Sequence, residues 1–140
     1  MNSKRQNQGF TLLEVIIVII IVGVLSSLAL PRYVSTVEYS RSTEALNMFS
    51  ALRESMERCY SVQKDYTNCT LSKIDFADPS GNAKSHFGYA STTNTASGYS
   101  ITATRNSTLD SGDGTSTIVL TYDETNGATR SGTSKFAAIK

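Results

Sequence analysis

One charge, Glu14, interrupts the 21 residues from Phe10 to Leu30, and apolar side chains fill most of the rest. At about 1.5 Å per residue this run predicts a helix of roughly 32 Å, enough to cross the hydrocarbon core of a bilayer. Gly23, Ser26, Ser27 and Ala29 lie within it, small residues of the kind that let helices approach closely. Pro31 follows, and its missing N–H should kink or loosen the helix. Beyond it the pattern changes to a stripe. Val34, Val37, Ala45, Met48, Leu52, Met56 and Cys59, with polar Arg41 counted, recur at steps of three or four. Leu46 and Phe49 widen that stripe, while Glu38, Glu44, Arg53, Glu54, Glu57 and Arg58 take the other side. No Pro or Gly occurs in Arg32–Tyr60. The pattern predicts one helix continuing to about Arg58, apolar all round at first and then amphipathic.

A connecting region follows, with a turn at Asp78-Pro79-Ser80-Gly81-Asn82 and Ile74 and Phe76 as its anchors. From Phe87 the composition moves to Thr, Ser, Gly and Tyr, and the period falls to two. Tyr99–Thr104 should turn Tyr99, Ile101 and Ala103 inward, and Thr117–Tyr122 should do so with Ile118, Leu120 and Tyr122. Asn126-Gly127 signals a hairpin that brings Ala128–Arg130 back alongside. Phe87–Ala90 and Lys135–Ile139 are candidates for short edge pieces. The fold class expected is α+β: a long N-terminal helix packed on a small antiparallel sheet of three to four strands.

Glu14 is the chemical oddity. A carboxylate inside a membrane-length helix costs about 2.5–3.5 kcal/mol even on the gentlest scale, so it needs a partner. Cutting the chain after Gly9 would supply one, the new α-amine of Phe10, within about one helical turn on the same chain or a neighbour.

Gln8-Gly9-Phe10-Thr11-Leu12-Leu13-Glu14-Val15 resembles the prepilin processing site of type IV pilins and of the related type II secretion pseudopilins. The likeness is close over the first 30 or so residues and looser to about Tyr66, where Tyr60 and Tyr66 bracket a polar junction. It implies that a prepilin peptidase cleaves between Gly9 and Phe10 on the cytoplasmic side and N-methylates Phe10. It implies that Pro31 stands where filament pilins tend to have a proline. It further implies that the processed helices bundle into a filament core, with Glu14 beside a neighbour's Phe10 amine as an axial register. On this reading residues 1–9 are a leader, 10–30 a transmembrane and filament-core helix, 31–59 its amphipathic continuation, and 60–140 a β-sheet head. Three plainer readings compete: a secretory signal with Ser27-Leu28-Ala29 as its cleavage site, a single-pass anchor that assembles into nothing, and the buried helix of a large soluble protein, which 140 residues could not easily enclose.

Charge adds little to this picture. Thirteen basic residues stand against 12 acidic, a net of +1, and loss of Lys4 and Arg5 with the leader brings it near −1. No general attraction to nucleic acid follows. Lys4 and Arg5 ahead of the span fit an N-terminus left in the cytoplasm. Cys59 and Cys69, on the exported side, favour a disulfide whose closure of about 11 residues is worth roughly 2.5–3 kcal/mol. With His86 the single histidine, zinc has no ligand set. Asp110-Ser111-Gly112-Asp113-Gly114 could recruit calcium with Asp123 or Glu124 but lacks a defined loop spacing. No catalytic motif appears, and neither enzyme activity nor cofactor is expected.

The leading expectation is a homo-oligomeric pilus subunit, built by inner-membrane assembly machinery and then displayed on a bacterial surface for adhesion, twitching motility or DNA uptake. A pseudopilin for protein export is the first alternative. A DNA-binding minor pilin is the second, resting on Arg53, Arg58, Lys64 and Lys73, although Glu54 and Glu57 interrupt them. Electron conduction through Phe10, Tyr33, Tyr39, Phe49 and Tyr60 is set aside, since rings so placed serve more simply as packing.

Overall fold

The computed structural model describes residues 10–110 and 112–139, so the leader and its Gly9 lie outside the described residues. One helix, α1, runs Leu12–Gln63 with Pro31 inside it. The chain divides into two compact units between Thr36 and Val37.

The first unit holds the start of α1. Thr11 caps it: its Oγ1 accepts the Glu14 N–H at 3.2 Å, and the Thr11 carbonyl accepts from Val15 at 3.3 Å. Thr-x-x-Glu at this place is the sequence of a capping box, with the acid also set against the positive end of the helix dipole. Farther along, hydroxyls turn back onto the helix. Ser27 Oγ donates to the Val24 carbonyl at 2.7 Å, and Ser35 Oγ and Thr36 Oγ1 both donate to the Arg32 carbonyl at 2.9 Å.

In the second unit α1 buries Glu38, Ser42, Ala45, Phe49, Leu52 and Met56, again at steps of three or four, with Ser55 beside the last. The stripe is therefore rotated slightly from the one expected. Phe49 rather than Met48 fills the core, and Glu38, expected in solvent, is only 4% exposed. The helix also runs past Arg58, because nothing from Cys59 to Gln63 opposes it. It stops where Lys64 adopts φ +62° while still donating to the Tyr60 carbonyl at 2.8 Å, the left-handed end more often given to glycine.

The sheet is four-stranded, antiparallel and in chain order: β1 Phe87–Asn94, β2 Gly98–Arg105, β3 Thr117–Asp123 and β4 Gly127–Gly132. Ile101 faces Leu120, Ala103 faces Ile118 and Tyr99 faces Tyr122, as the alternation requires. β1 is a full eight-residue strand with a register shift at Ser91–Thr93, longer than the edge piece expected. The β3–β4 turn closes over Glu124–Asn126, with Gly127 at φ +72° and the Asp123 carboxylate accepting the Thr125 and Asn126 N–H groups.

The C-terminal segment is corrected from strand to a 3-10 turn at Ser134–Phe136. Phe136 sinks fully into the core beside Phe87, ring centres 5.5 Å apart, so this segment follows its aromatic anchor instead of pairing. A Cβ on Gly132 would come 2.0 Å from the Phe136 carbonyl oxygen, which only glycine tolerates.

Candidate functional site: an apolar helix face and a cationic recess

Among the described residues nothing covers the apolar side chains of α1 in the first unit. Every residue from Phe10 to Leu25 is exposed, Phe10 itself by 84%, and exposure continues through Leu28, Leu30, Tyr33 and Val34. The helix is long and apolar enough to cross a membrane, and none of that stretch is buried. Phe10, Glu14, Val15 and Val18 line one shallow recess of about 280 Å³. Glu14 and Phe10 thus share a face, as their spacing implies. A surface this apolar is stable only in lipid or against other helices, since water leaves it solvated at a cost of about 25 cal/mol per Å².

Charge in the second unit is organised around Arg105. The alternation of β2 turns it inward, where it is fully buried. Its Nε donates to Glu38 Oε2 at 3.0 Å, and its remaining N–H groups reach the carbonyls of His86, Asn106 and Leu109 at 3.1–3.2 Å. Arg41 bonds the other Glu38 oxygen and also meets Asp110 at 3.1 Å. Burial pushes the Glu38 carboxyl up, but Arg105 and then Arg41 outweigh it and hold it below the ordinary carboxylate range. His86 completes the chain, Nδ1 2.7 Å from Glu44 and Nε2 3.1 Å from Asp110.

The loop weighed for calcium has its carboxylates turned elsewhere. Asp110 meets Arg41 and His86, while Asp113 accepts from Ser116 and Thr115, whose hydrogen bonds keep it well below its ordinary range. Among the described residues no three His, Cys, Asp or Glu side chains gather to hold a metal.

At the far end of α1, Cys59 and Cys69 form a disulfide with Cα atoms 6.0 Å apart. It fixes the connecting loop so that Tyr66 inserts between Tyr60 and Tyr99, at 4.6 and 5.0 Å, with Tyr122 at 5.7 Å. Burial pushes the Tyr66, Tyr89 and Tyr99 phenols up.

The basic cluster read from sequence is dispersed. Arg58 pairs with Glu54 at 2.9 Å and reaches Ser55 and the Asp75 carbonyl, and Lys64 serves the helix end. Arg53 goes elsewhere: its guanidinium lies 5.8 Å from the Tyr122 ring centre. With Ala128, Thr129 and Arg130 it lines a recess of about 480 Å³. Among the described residues the ion pairs engage Arg41, Arg58, Arg105, His86 and Lys135, and Arg53 and Arg130 are among the cations outside them. Sequence reasoning missed Arg130 because it is 77 positions from Arg53, and only the β3–β4 hairpin brings the two together.

A long helix carrying a bare apolar face, its second half packed on a four-stranded meander, is the architecture of a type IV pilin. Residues 4–30 match the prokaryotic N-terminal methylation motif. Residues 31–116, more than half of the chain, match the type IV minor pilin ComP, DNA uptake sequence receptor, and the chain belongs to that family.

Similar proteins include the type IV major pilin protein PilA of Myxococcus xanthus, 33% identical over 84 residues, covering 60% of this chain and 36% of PilA. Fimbrial protein EcpC of Eikenella corrodens is 40% identical over 58 residues, 41% of this chain and 38% of EcpC. The type II secretion system core protein G of Aeromonas hydrophila is 39% identical over 55 residues, 39% of this chain and 38% of that protein. The chain thus spans less than half the length of these relatives. No solved structure gives a significant match.

Proposed function

We propose that this chain is a structural subunit of a type IV pilus-like filament. The carrying observation is the exposed apolar face of α1 from Phe10 to Val34 with its single acid near the start. Before assembly that face sits in the inner membrane. A prepilin peptidase removes residues 1–9 and methylates Phe10. In the filament, helices of neighbouring copies replace lipid, and Glu14 faces a neighbour's Phe10 amine, which fixes axial register. Pro31 denies the Ser27 carbonyl its usual helical donor, so the helix yields there as it leaves lipid. Assembly machinery in the membrane drives the transfer, and the filament emerges at the cell surface. Intact mass of the surface form tests this: it should lack Met1–Gly9 and carry one extra methyl. A mass beginning at Met1, or after Ala29, overturns it. Filaments in sheared surface material, seen by electron microscopy, separate a pilus from a short pseudopilus of the secretion type.

A second role rests on the Arg53–Arg130 recess. Two guanidinium groups outside ion pairs, lining one recess with Ala128 and Thr129, offer the phosphate contacts on which DNA binding rests. The match to the family of ComP, DNA uptake sequence receptor, supports this assignment. Retention on immobilised DNA should fall with rising salt and be lost in Arg53→Ala/Arg130→Ala. Unchanged retention in that variant removes the recess from consideration.

A further inference from the structure

We propose that Arg32 and Tyr33 form an outer-leaflet lipid-headgroup anchor which, with Glu14 at the opposite boundary, sets the depth of the helix in the membrane before assembly. The proposal rests on the membrane reading of the first unit and adds the surface that fixes its position. Glu14 and Arg32 bracket a charge-free stretch, Val15–Pro31. They stand 18 residues apart, about 27 Å along a helix, against a hydrocarbon core of about 30 Å. Both charges therefore reach a polar boundary at the same time. Moving the helix by one turn in either direction would draw one of them about 5 Å into hydrocarbon. The depth is thus held from both ends.

The side chains at the outer end fit this placement. Arg32 is exposed, and Tyr33 is 68% exposed, an amphipathic ring of the kind that settles at the headgroup level. The Arg32 guanidinium sits on a flexible stem and offers planar donors matched to phosphate oxygens. Ser35 and Thr36 hydroxyls both close onto the Arg32 carbonyl, so the helix turn just beyond Tyr33 carries no unmet hydroxyl donor into the interface. The occupant is a membrane lipid, because the apolar stretch that ends at Arg32 leads directly to the headgroup layer. At the inner end the Thr11 cap holds Glu14 on the first helical turn, within reach of the other headgroup layer.

The natural chain has no tryptophan, so single substitutions report position without background. The full chain carrying Tyr33→Trp, and separately Val22→Trp, would be reconstituted into phosphatidylethanolamine–phosphatidylglycerol vesicles containing lipids brominated at different depths. Trp at 22 should be quenched most by bromines near the chain ends. Trp at 33 should be quenched most by bromines nearest the headgroup. Adding Arg32→Ala should shift the residue-33 signal to deeper quenchers, and Arg32→Lys should leave it in place. If Trp at 22 is quenched but Trp at 33 is not, or if Arg32→Ala leaves the depth unchanged, the anchor is overturned while the span stands. If Trp at 22 escapes quenching altogether, the membrane reading itself fails and the anchor falls with it.

Discussion

Arg105 Nε lies 3.0 Å from Glu38 Oε2, with the two side chains 0% and 6% exposed. A buried pair like this is weak evidence of net stabilisation, yet removing one partner strands the other charge at a cost of about 3–5 kcal/mol. Glu38→Ala and Arg105→Ala should each destabilise the second unit by that amount in denaturant titrations of the full chain in detergent. Arg105→Ala also frees three loop carbonyls, so it should be the worse of the two. An Arg105→Ala chain as stable as the parent would show the pair to be incidental.

Acid should act through the same pair. The Glu38 and Asp113 carboxyls are both held below their ordinary values in the folded chain, Glu38 by Arg105 and Arg41 against burial, Asp113 by Ser116. A depressed folded value contributes stability that is complete above the unfolded value, near 4, and is lost as pH falls through the folded one. The melting temperature should therefore hold from neutral pH down to about 4.5 and drop below it. Glu38→Gln should flatten the drop.

At the alkaline end the sign reverses. Tyr66, Tyr89 and Tyr99 are raised by burial, so their contribution is complete below pH about 10 and is lost as pH rises beyond it. An absorbance titration at rising pH, followed together with circular dichroism, checks this. The buried ones should ionise only together with unfolding. Ionisation of these three before the fold is lost would contradict this.

The disulfide closes a loop worth roughly 2.5–3 kcal/mol in the unfolded chain. Reduction should lower stability by about that much and loosen the stacking of Tyr66 on Tyr60, visible in near-ultraviolet circular dichroism. Alkylation without reduction should leave Cys59 and Cys69 unmodified.

Glu14→Ala separates insertion from assembly. The apolar stretch Val15–Leu30 that carries insertion is intact in the variant, so it should still reach the membrane. Filament yield should nevertheless collapse if Glu14 sets the register. Wild-type yield would remove the register role.

The elements were legible in the sequence wherever one face of a regular period carried the apolar residues. The 3.6 period gave α1, and the alternations in Tyr99–Thr104 and Thr117–Tyr122 gave the central strands with their inward residues correct. Ends were read less well. Lys64 takes the left-handed conformation that Gly or Asn would have announced, and the Lys135–Ile139 segment was misread because Phe136 can anchor a turn as readily as a strand. The Thr11–Glu14 cap was visible as Thr-x-x-Glu but was overshadowed by the processing motif sharing those residues.

By itself the sequence determined the helix, its apolar length, the position of its one acid and the family likeness, since all of these are properties of consecutive residues. The tertiary structure decided which charges meet. Glu38 looks solvent-facing until Arg105 is brought to it, and the Arg53–Arg130 recess does not exist until β4 folds back along β3. Local periodicity records which way a side chain faces. What it faces depends on contacts between residues far apart in the chain, and those are set only when the second half of α1 packs on the sheet.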